Sequence, residues 1–348
     1  MVAKHLFGLI LALFVTVSIG ATDPVELNPA HPSEYTVKKG DTLWDISEMF
    51  LKNPWRWPDI WNVNPQIANP HLIYPGDVLS LTYGADGKPR LGLKRGRETV
   101  KLSPRLRESA IDQAIPTIPI TSIKPFLTRP MVLTQSELDG AAYVVAVDGE
   151  HVLAASGDQI YVRKVNDKSS RDWVIMRKGE IFRNPDAKKD DILGYEMVYI
   201  ANATPARYGD PATFVLRQSK RETNTGDKAF PNDIEQLDTH FTPHLPAQQL
   251  EGVILNVFEG VANIGRYDVV AINLGKKDGL ESGHVLQVYQ AGKTIPDSVT
   301  EDRKDKVTLP DESAGIIMVF RTFERVSYAL VMRANRFIHT LDKVRTPG

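Results

Sequence analysis

The sequence predicts an α+β protein, in which a small N-terminal βααβ domain precedes a mainly-β C-terminal region of two small sandwich- or barrel-like modules. A strand–helix–helix–strand pattern occupies residues 34–83. From Met131 onward, short apolar runs alternate with turn residues at a spacing of roughly eight to twelve residues, which is typical of sandwiches and barrels. The ends of the two β blocks also resemble each other, which indicates a diverged internal repeat.

The N-terminus has the layout of a secretory signal peptide. Lys4 precedes the uncharged apolar run Leu6–Ile19, and small residues follow. The run is shorter than the roughly 20 apolar residues that span a bilayer, although a retained anchor is the alternative. We expect a signal peptide at 1–21, a lead-in at 22–33, the βααβ domain at 34–83, a basic linker at 84–113, a first β module at 114–245 and a second at 246–348. The mature chain is then exported, with no transmembrane segment.

Composition excludes several classes of protein. The chain contains no Cys, which excludes disulfides, a catalytic thiol and a lipidated cysteine. A net charge of −1 implies no general attraction to nucleic acid or to an anionic membrane. Lys and Arg are concentrated in residues 84–113. This pattern favours a solvated tether, and the alternative is a segment that lies on an anionic surface such as the cell-wall polymer.

The elements of the βααβ domain follow from local signals. An alternating run at Tyr35 stops at Gly40, and Asp41 and Thr42 supply N-cap chemistry for a helix. Leu43, Ile46 and Phe50 share one face of that helix, which Pro54 ends. A second helix is expected from Pro58, and a final strand covers 78–81.

The sequences YTVKKGDTLWDIS and VNPQIANPHLIYPGDVLSL, which begin at Tyr35 and Val63, resemble the two ends of a LysM domain. LysM domains are βααβ modules that bind glycans containing N-acetylglucosamine. The resemblance implies binding between the loop after the first strand and the loop before the last, which places the ligand on Gly40, Asp41, Thr42, Leu43, Asn69, Pro70, His71, Leu72 and Ile73. Some of these residues also have structural explanations, since Asp41 and Thr42 cap a helix and Leu43 and Ile73 suit a core.

The connection between the two helices is unusually rich in Trp. Trp55 and Trp57 could form a secondary sugar-stacking surface, because Trp offers a rigid apolar face with a hydrogen-bond donor. The favoured alternative is that these residues and Trp61 form the core of an enlarged connection.

The C-terminal region reads as strands joined by polar turns. The segment AIPTIPI, residues 114–120, cannot be a helix or a central strand, and we expect Ile115, Ile118 and Ile120 to dock onto the domain that follows. A hairpin is expected between 143–147 and 151–155, and the polar loop 294–312 should be exposed and mobile.

Signals for catalysis are weak. His240 and His244 have a metal-ligand spacing, but Pro243 lies between them and no Glu follows His240. Glu281-Ser282 resembles the Glu-Ser pair of lytic transglycosylases, but it lies in a Gly-flanked turn rather than on a helix. We therefore predict no catalytic residues, no metal and no cofactor, with a cell-wall hydrolase as the less favoured alternative.

The order of export signal, LysM domain, basic tether and paired β modules resembles the secretin-associated proteins of type IV pili, the TsaP-like family, whose C-terminal part is similar to a flagellar-ring-associated domain. The resemblance implies a periplasmic, cell-wall-associated scaffold that binds peptidoglycan and contacts an outer-membrane secretin ring in multiple copies. A general LysM envelope protein without a role in pili shares every one of these features.

Overall fold

The computed structural model describes residues 24–61, 72–94, 114–127, 132–149, 153–232, 241–258, 264–297, 299 and 305–348. The expected signal peptide, residues 1–21, lies outside the described residues, as do Asn69, Pro70, His71 and His240. None of the helices in the described ranges combines the length and the apolar character that spanning a bilayer requires.

The N-terminal domain has the expected strand–helix–helix–strand order. Its elements are β1 (Glu34–Thr36), α1 (Leu43–Phe50), a 3₁₀ turn (Pro54–Arg56), α2 (Trp57–Trp61), β2 (Val78–Tyr83) and β3 (Pro89–Lys94). Thr42 is the N-cap of α1, because its hydroxyl accepts a hydrogen bond from the Asp45 N–H at 3.1 Å. The third strand, β3, pairs antiparallel with β2 and lies in the range expected to be linker. Leu91 explains the difference, since its side chain is buried in the core of this domain.

The first module follows a short helix that leads into it. Its elements are α3 (Ile120–Leu127), β4 (Val132–Leu133), α4 (Gln135–Gly140), β5 (Ala142–Val147), β6 (Gln159–Arg163), β7 (Trp173–Arg183), β8 (Ile192–Arg207), β9 (Ala212–Ser219) and β10 (Lys228–Pro231). The prediction that β5 forms a hairpin with residues 151–155 is wrong. β5 pairs with β6 instead, and Ala154 forms an isolated bridge with Thr223.

The second module is a closed six-stranded barrel. Its strands are β11 (Glu251–Phe258), β12 (Val269–Ile272), β13 (Val285–Gln290), β16 (Glu312–Thr322), β17 (Ser327–Ala334) and β18 (Lys343–Arg345). Two short strands, β14 (Thr294–Pro296) and β15 (Lys306–Thr308), pair with each other within the polar loop that was expected to be exposed and mobile, and both strands are exposed. The prediction of a mainly-β region is confirmed.

The two modules share one topology. Because β8 also pairs with β9, six strands of the first module follow one another in the ring β5-β6-β9-β8-β7-β10. The barrel has the ring β11-β12-β17-β16-β13-β18, which places corresponding strands at the same positions. The turn before the last strand is also repeated, since Asp227 accepts the Asn224 N–H and Asp342 accepts the His339 N–H, each at 2.8 Å. These features support the predicted internal repeat.

All three units meet at one apolar cluster, which we call the joint. It lies against the outer face of the barrel, since Tyr328, Leu330 and Met332 of β17 point into the joint while Ala329 and Val331 point into the barrel interior. The other units contribute buried side chains to it, namely Trp44, Trp55, Ile118, Ile123, Val132, Phe182 and Leu193. The N-terminal domain and the first module are therefore both packed on the barrel.

A bidentate ion pair also links the first module to the barrel. The Arg325 guanidinium donates to both oxygens of Asp191 at 2.7 and 2.6 Å. This contact, with a smaller contribution from Asn184, lowers the pKa of Asp191 to about 2.

Replacing Arg325 with Ala is expected to raise the pKa of Asp191 toward the ordinary value of about 3.9. Because the pKa of Asp191 is depressed in the folded chain, its contribution to stability is present above the unfolded pKa and is lost as pH falls through about 2. A carboxyl titration by NMR measures the shift. Arg336→Ala, which removes an exposed partner of Glu312, is the control and should leave Asp191 unchanged. If the pKa of Asp191 is the same in Arg325→Ala as in the unmodified chain, the two side chains do not form an ion pair, and this contact does not link the two modules.

Candidate functional site

The loop between β1 and α1 carries the first half of the predicted glycan site. Gly40 is exposed at φ +98°, a conformation that favours glycine, and no atom lies within 4 Å of where a Cβ would sit. Asp41 holds the loop in place, because its carboxylate accepts hydrogen bonds from the Lys38 N–H and the Tyr35 hydroxyl, both at 2.8 Å. Burial, followed by the hydrogen bond to Asp41, raises the pKa of Tyr35 to about 12.

The next two predicted residues serve the helix and the core. Thr42 is 3% exposed as the N-cap of α1, and Leu43 is fully buried in the core of the domain. Only their backbone atoms can therefore face a ligand. The N–H of Leu43 donates to the Pro116 carbonyl at 2.9 Å, and the N–H of Trp44 donates to the Thr117 carbonyl at 3.1 Å.

The described part of the second half consists of Leu72 and Ile73. Leu72 is 45% exposed, whereas Ile73 is fully buried. The Ile73 carbonyl accepts a hydrogen bond from the Ile115 N–H at 2.8 Å. Residues 115–117 therefore bridge the described residues of the two loops, namely Ile73 on one side and Leu43 on the other.

This placement corrects the expectation for the segment AIPTIPI. Ile115 packs into the core of the N-terminal domain rather than onto the domain that follows, and Ile118 packs into the joint together with Trp44. The prolines of the segment correctly indicated that it docks onto folded parts of the chain. Ile115 lies on the other domain because its N–H donates to the Ile73 carbonyl and its side chain enters the LysM core, and a local sequence pattern does not reveal backbone partners.

The tryptophans form core rather than a sugar platform. Trp57 is 1% exposed and packs edge-to-face against Trp61, with ring centroids 5.5 Å apart. Trp55 is 9% exposed and faces the joint. Because neither ring presents an open face, a secondary glycan contact at Trp55 and Trp57 is not supported.

A polar contact that local sequence patterns could not reveal fixes α1 against the barrel. Arg266 donates to Asp45 at 2.6 Å and to Glu48 at 3.2 Å, and Arg333 also donates to Glu48. The Tyr267 hydroxyl donates to Asp45 at 2.7 Å. Tyr267 adopts φ +71°, which is uncommon for a residue with a side chain, whereas the first module has Gly157 in the corresponding turn.

Among the described residues of the C-terminal region, one group of potential metal ligands occurs: His244, Glu281 and His284, whose ligand atoms lie within 4.8 Å of one another. The Glu281 N–H donates to His284 Nδ1 at 3.0 Å, so the neutral ring carries its proton on Nε2. Such a ring has no free lone pair for a metal. Burial lowers the pKa of His284, which keeps this neutral form dominant. Glu281 lies in a turn, as expected.

Comparison with known proteins is informative for the N-terminal domain. Residues 35–82 match the family model described as LysM domain. The chain is also 42% identical over 60 residues to an uncharacterized protein, YqbP, of Bacillus subtilis (strain 168), a match that covers 14% of this chain. The chain spans only 27% of the length of that relative. Residues 35–82 thus form a LysM domain, a carbohydrate-binding module of the kind found in peptidoglycan-binding proteins of the cell envelope.

Proposed function

We propose that the protein is a non-enzymatic periplasmic scaffold, which binds peptidoglycan through its LysM domain and anchors an outer-membrane type IV pilus secretin complex to the cell wall. The observation that carries the proposal is the LysM domain at residues 35–82, packed on a barrel through a buried joint. A packed joint transmits load between a wall-bound domain and a partner-bound domain better than a flexible tether does. Many copies around a ring would compensate for a modest affinity of each LysM domain.

The secretin partner rests on the family resemblance, and a pull-down tests it. The full chain and a Gly40→Phe variant are each used to capture a purified secretin ring. Equal capture by both is expected, because Gly40 lies on the LysM domain and the proposed ring contact lies on the C-terminal modules. Failure of both to retain the ring, together with normal pilus assembly in a deletion strain, would favour a general LysM envelope protein.

Absence of catalysis is tested by zymography on purified sacculi. The proposal expects no clearing zone. In the group of potential metal ligands found among the described residues, the Nδ1 atom of His284 already accepts a hydrogen bond from the Glu281 N–H. A clearing zone from purified protein would favour the cell-wall hydrolase instead.

Gly40→Phe is expected to lower co-sedimentation with purified sacculi several-fold. The substitution puts a large side chain into the predicted glycan site and strains a backbone at positive φ. Gly87→Phe is the matched control, since Gly87 also has a positive φ and open space for a Cβ but lies in the turn between β2 and β3. If both variants lose co-sedimentation equally, backbone strain alone explains the effect. If neither variant loses co-sedimentation, the glycan does not contact the loop at Gly40.

A further inference from the structure

A segment that follows the LysM domain in sequence lies against the described residues of its predicted glycan site. We call residues 115–118 the strap. On one side of the site, the Ile115 N–H donates a hydrogen bond to the Ile73 carbonyl. On the other side, the Pro116 carbonyl accepts a hydrogen bond from the Leu43 N–H, and the Thr117 carbonyl accepts one from the Trp44 N–H. The strap therefore crosses between the two loops that the resemblance assigns to the ligand.

The strap uses the donors that a neutral sugar would need. The first N–H groups of a helix have no partner within the helix and are available to a ligand. In α1 the Asp45 N–H is taken by the Thr42 hydroxyl. The strap takes the N–H groups of Leu43 and Trp44, so these three donors of the first turn are satisfied internally. A glycan that accepts hydrogen bonds from the N–H groups of Leu43 and Trp44 has to displace the strap.

Buried apolar side chains hold the strap in place, but one of its buried polar groups lacks a hydrogen-bond partner among the described residues. Ile115 is 5% exposed in the LysM core, and Ile118 is fully buried in the joint. Thr117 is 1% exposed, and its hydroxyl has no hydrogen-bond partner in the described part of the chain. A buried hydroxyl without a partner costs free energy, so leaving the site relieves a penalty and exposes Thr117 to water.

We propose that the strap is an intramolecular competitor of the glycan, so that the LysM domain is autoinhibited until the strap leaves. This inference rests on the proposed function, because it regulates the same site. A tethered competitor acts at an effective concentration on the order of millimolar. The apparent affinity for glycan is the intrinsic affinity multiplied by the fraction of molecules whose site is open. The strap continues into α3, whose Phe126 contacts Tyr328 in the joint at a centroid distance of 6.0 Å. Loosening the joint therefore also loosens the strap.

The test compares the full mature chain with variants that release the strap, using soluble N-acetylglucosamine oligomers and purified sacculi as probes. Ile115→Asp buries a carboxylate in the apolar core of the LysM domain. Thr117→Asp also buries a carboxylate, but at a position that is not part of that core, so the LysM domain itself is less affected. Both are expected to lower the apparent Kd for oligomers at least tenfold. Thr121→Asp, on an exposed residue of α3, is the matched control and should bind like the unmodified chain.

Backbone hydrogen exchange of the unmodified chain gives a second measurement that does not depend on the folding of a variant. Saturating oligomer is expected to speed exchange of the Ile115 amide, because its bond to Ile73 is broken when the strap leaves. Unchanged exchange at Ile115 with bound oligomer, or release variants that fold and bind no better than the control, would overturn the competitor role. If the unmodified chain and the release variants all fail to bind either probe, the proposed function itself is wrong.

Discussion

Replacing Tyr328 with Ala is expected to lower the free energy of unfolding by about 3–5 kcal/mol, as for other large aromatic side chains removed from a packed core. Tyr328 is fully buried, and its ring lies 4.7 Å from that of Phe258 and 5.1 Å from that of Phe323. Phe126 of α3 and Phe320 of β16 complete the aromatic cluster. Rigid strands surround this site, so the cavity left by the ring can close only in part.

Urea denaturation followed by far-UV circular dichroism measures this loss. Phe337→Ala is the control, because Phe337 is 67% exposed and its removal should change stability by less than about 0.5 kcal/mol. Because water is excluded from this buried position, the pKa of Tyr328 is raised above the ordinary value for tyrosine. A loss no larger than that of the control would mean that the joint does not contribute to the stability of the folded chain.

Much of the LysM domain was predictable because its signals are local. The cap at Thr42 and the spacing of Leu43, Ile46 and Phe50 fix one helix and its buried face, and each of these side chains is buried in the structure. The repeat was also readable, since a turn with an Asp before the last strand recurs at Asp227 and Asp342. Local chemistry of this kind does not depend on the rest of the fold.

The joint was not predictable, because it joins residues that are distant in sequence. In β17 both faces are buried, one in the barrel and one in the joint, so the alternation that marks a half-exposed strand is missing. Arg266 reaches Asp45 across 221 positions, and nothing near either residue indicates the other. Tyr267 is similar: its position corresponds to a glycine in the first module, and only the docked LysM domain explains the larger side chain.

The loops of the predicted glycan site could be identified from the sequence, but the segment that contacts them could not. The resemblance identified Gly40–Leu43 and Leu72–Ile73, and these loops lie close enough for one short segment to bridge them. The strap escaped prediction because it contacts these loops through backbone N–H and carbonyl groups, which nearly every residue carries. Pro116 within the strap and Pro119 after it disfavour a helical conformation of the residues that precede them, so the strap does not form a helix of its own.

Trp44 provides the sharpest test of how the LysM domain is held. Its side chain is fully buried, but it packs in the joint and not in the core that Leu43, Ile46 and Phe50 share. Trp44→Ala is therefore expected to cost about 3–5 kcal/mol in docking while the LysM domain stays folded. The polar contacts of Asp45 and Glu48 are partly exposed, and they should be too weak to hold the domain by themselves.

Hydrogen exchange separates docking from folding in this variant. In Trp44→Ala, amides of α3 and of the strap should exchange faster, while amides of β2 keep their protection because the LysM core is intact. Trp61→Ala is the matched control: Trp61 is equally buried, at 1% exposed, but belongs to the LysM core, so β2 should lose protection as well. If the strap competes with glycan, Trp44→Ala should also bind N-acetylglucosamine oligomers more tightly than the unmodified chain, since the joint anchors the strap through Ile118. Faster exchange in β2 of Trp44→Ala would contradict the separation of joint from core, and would mean that the LysM domain depends on the barrel for its own stability.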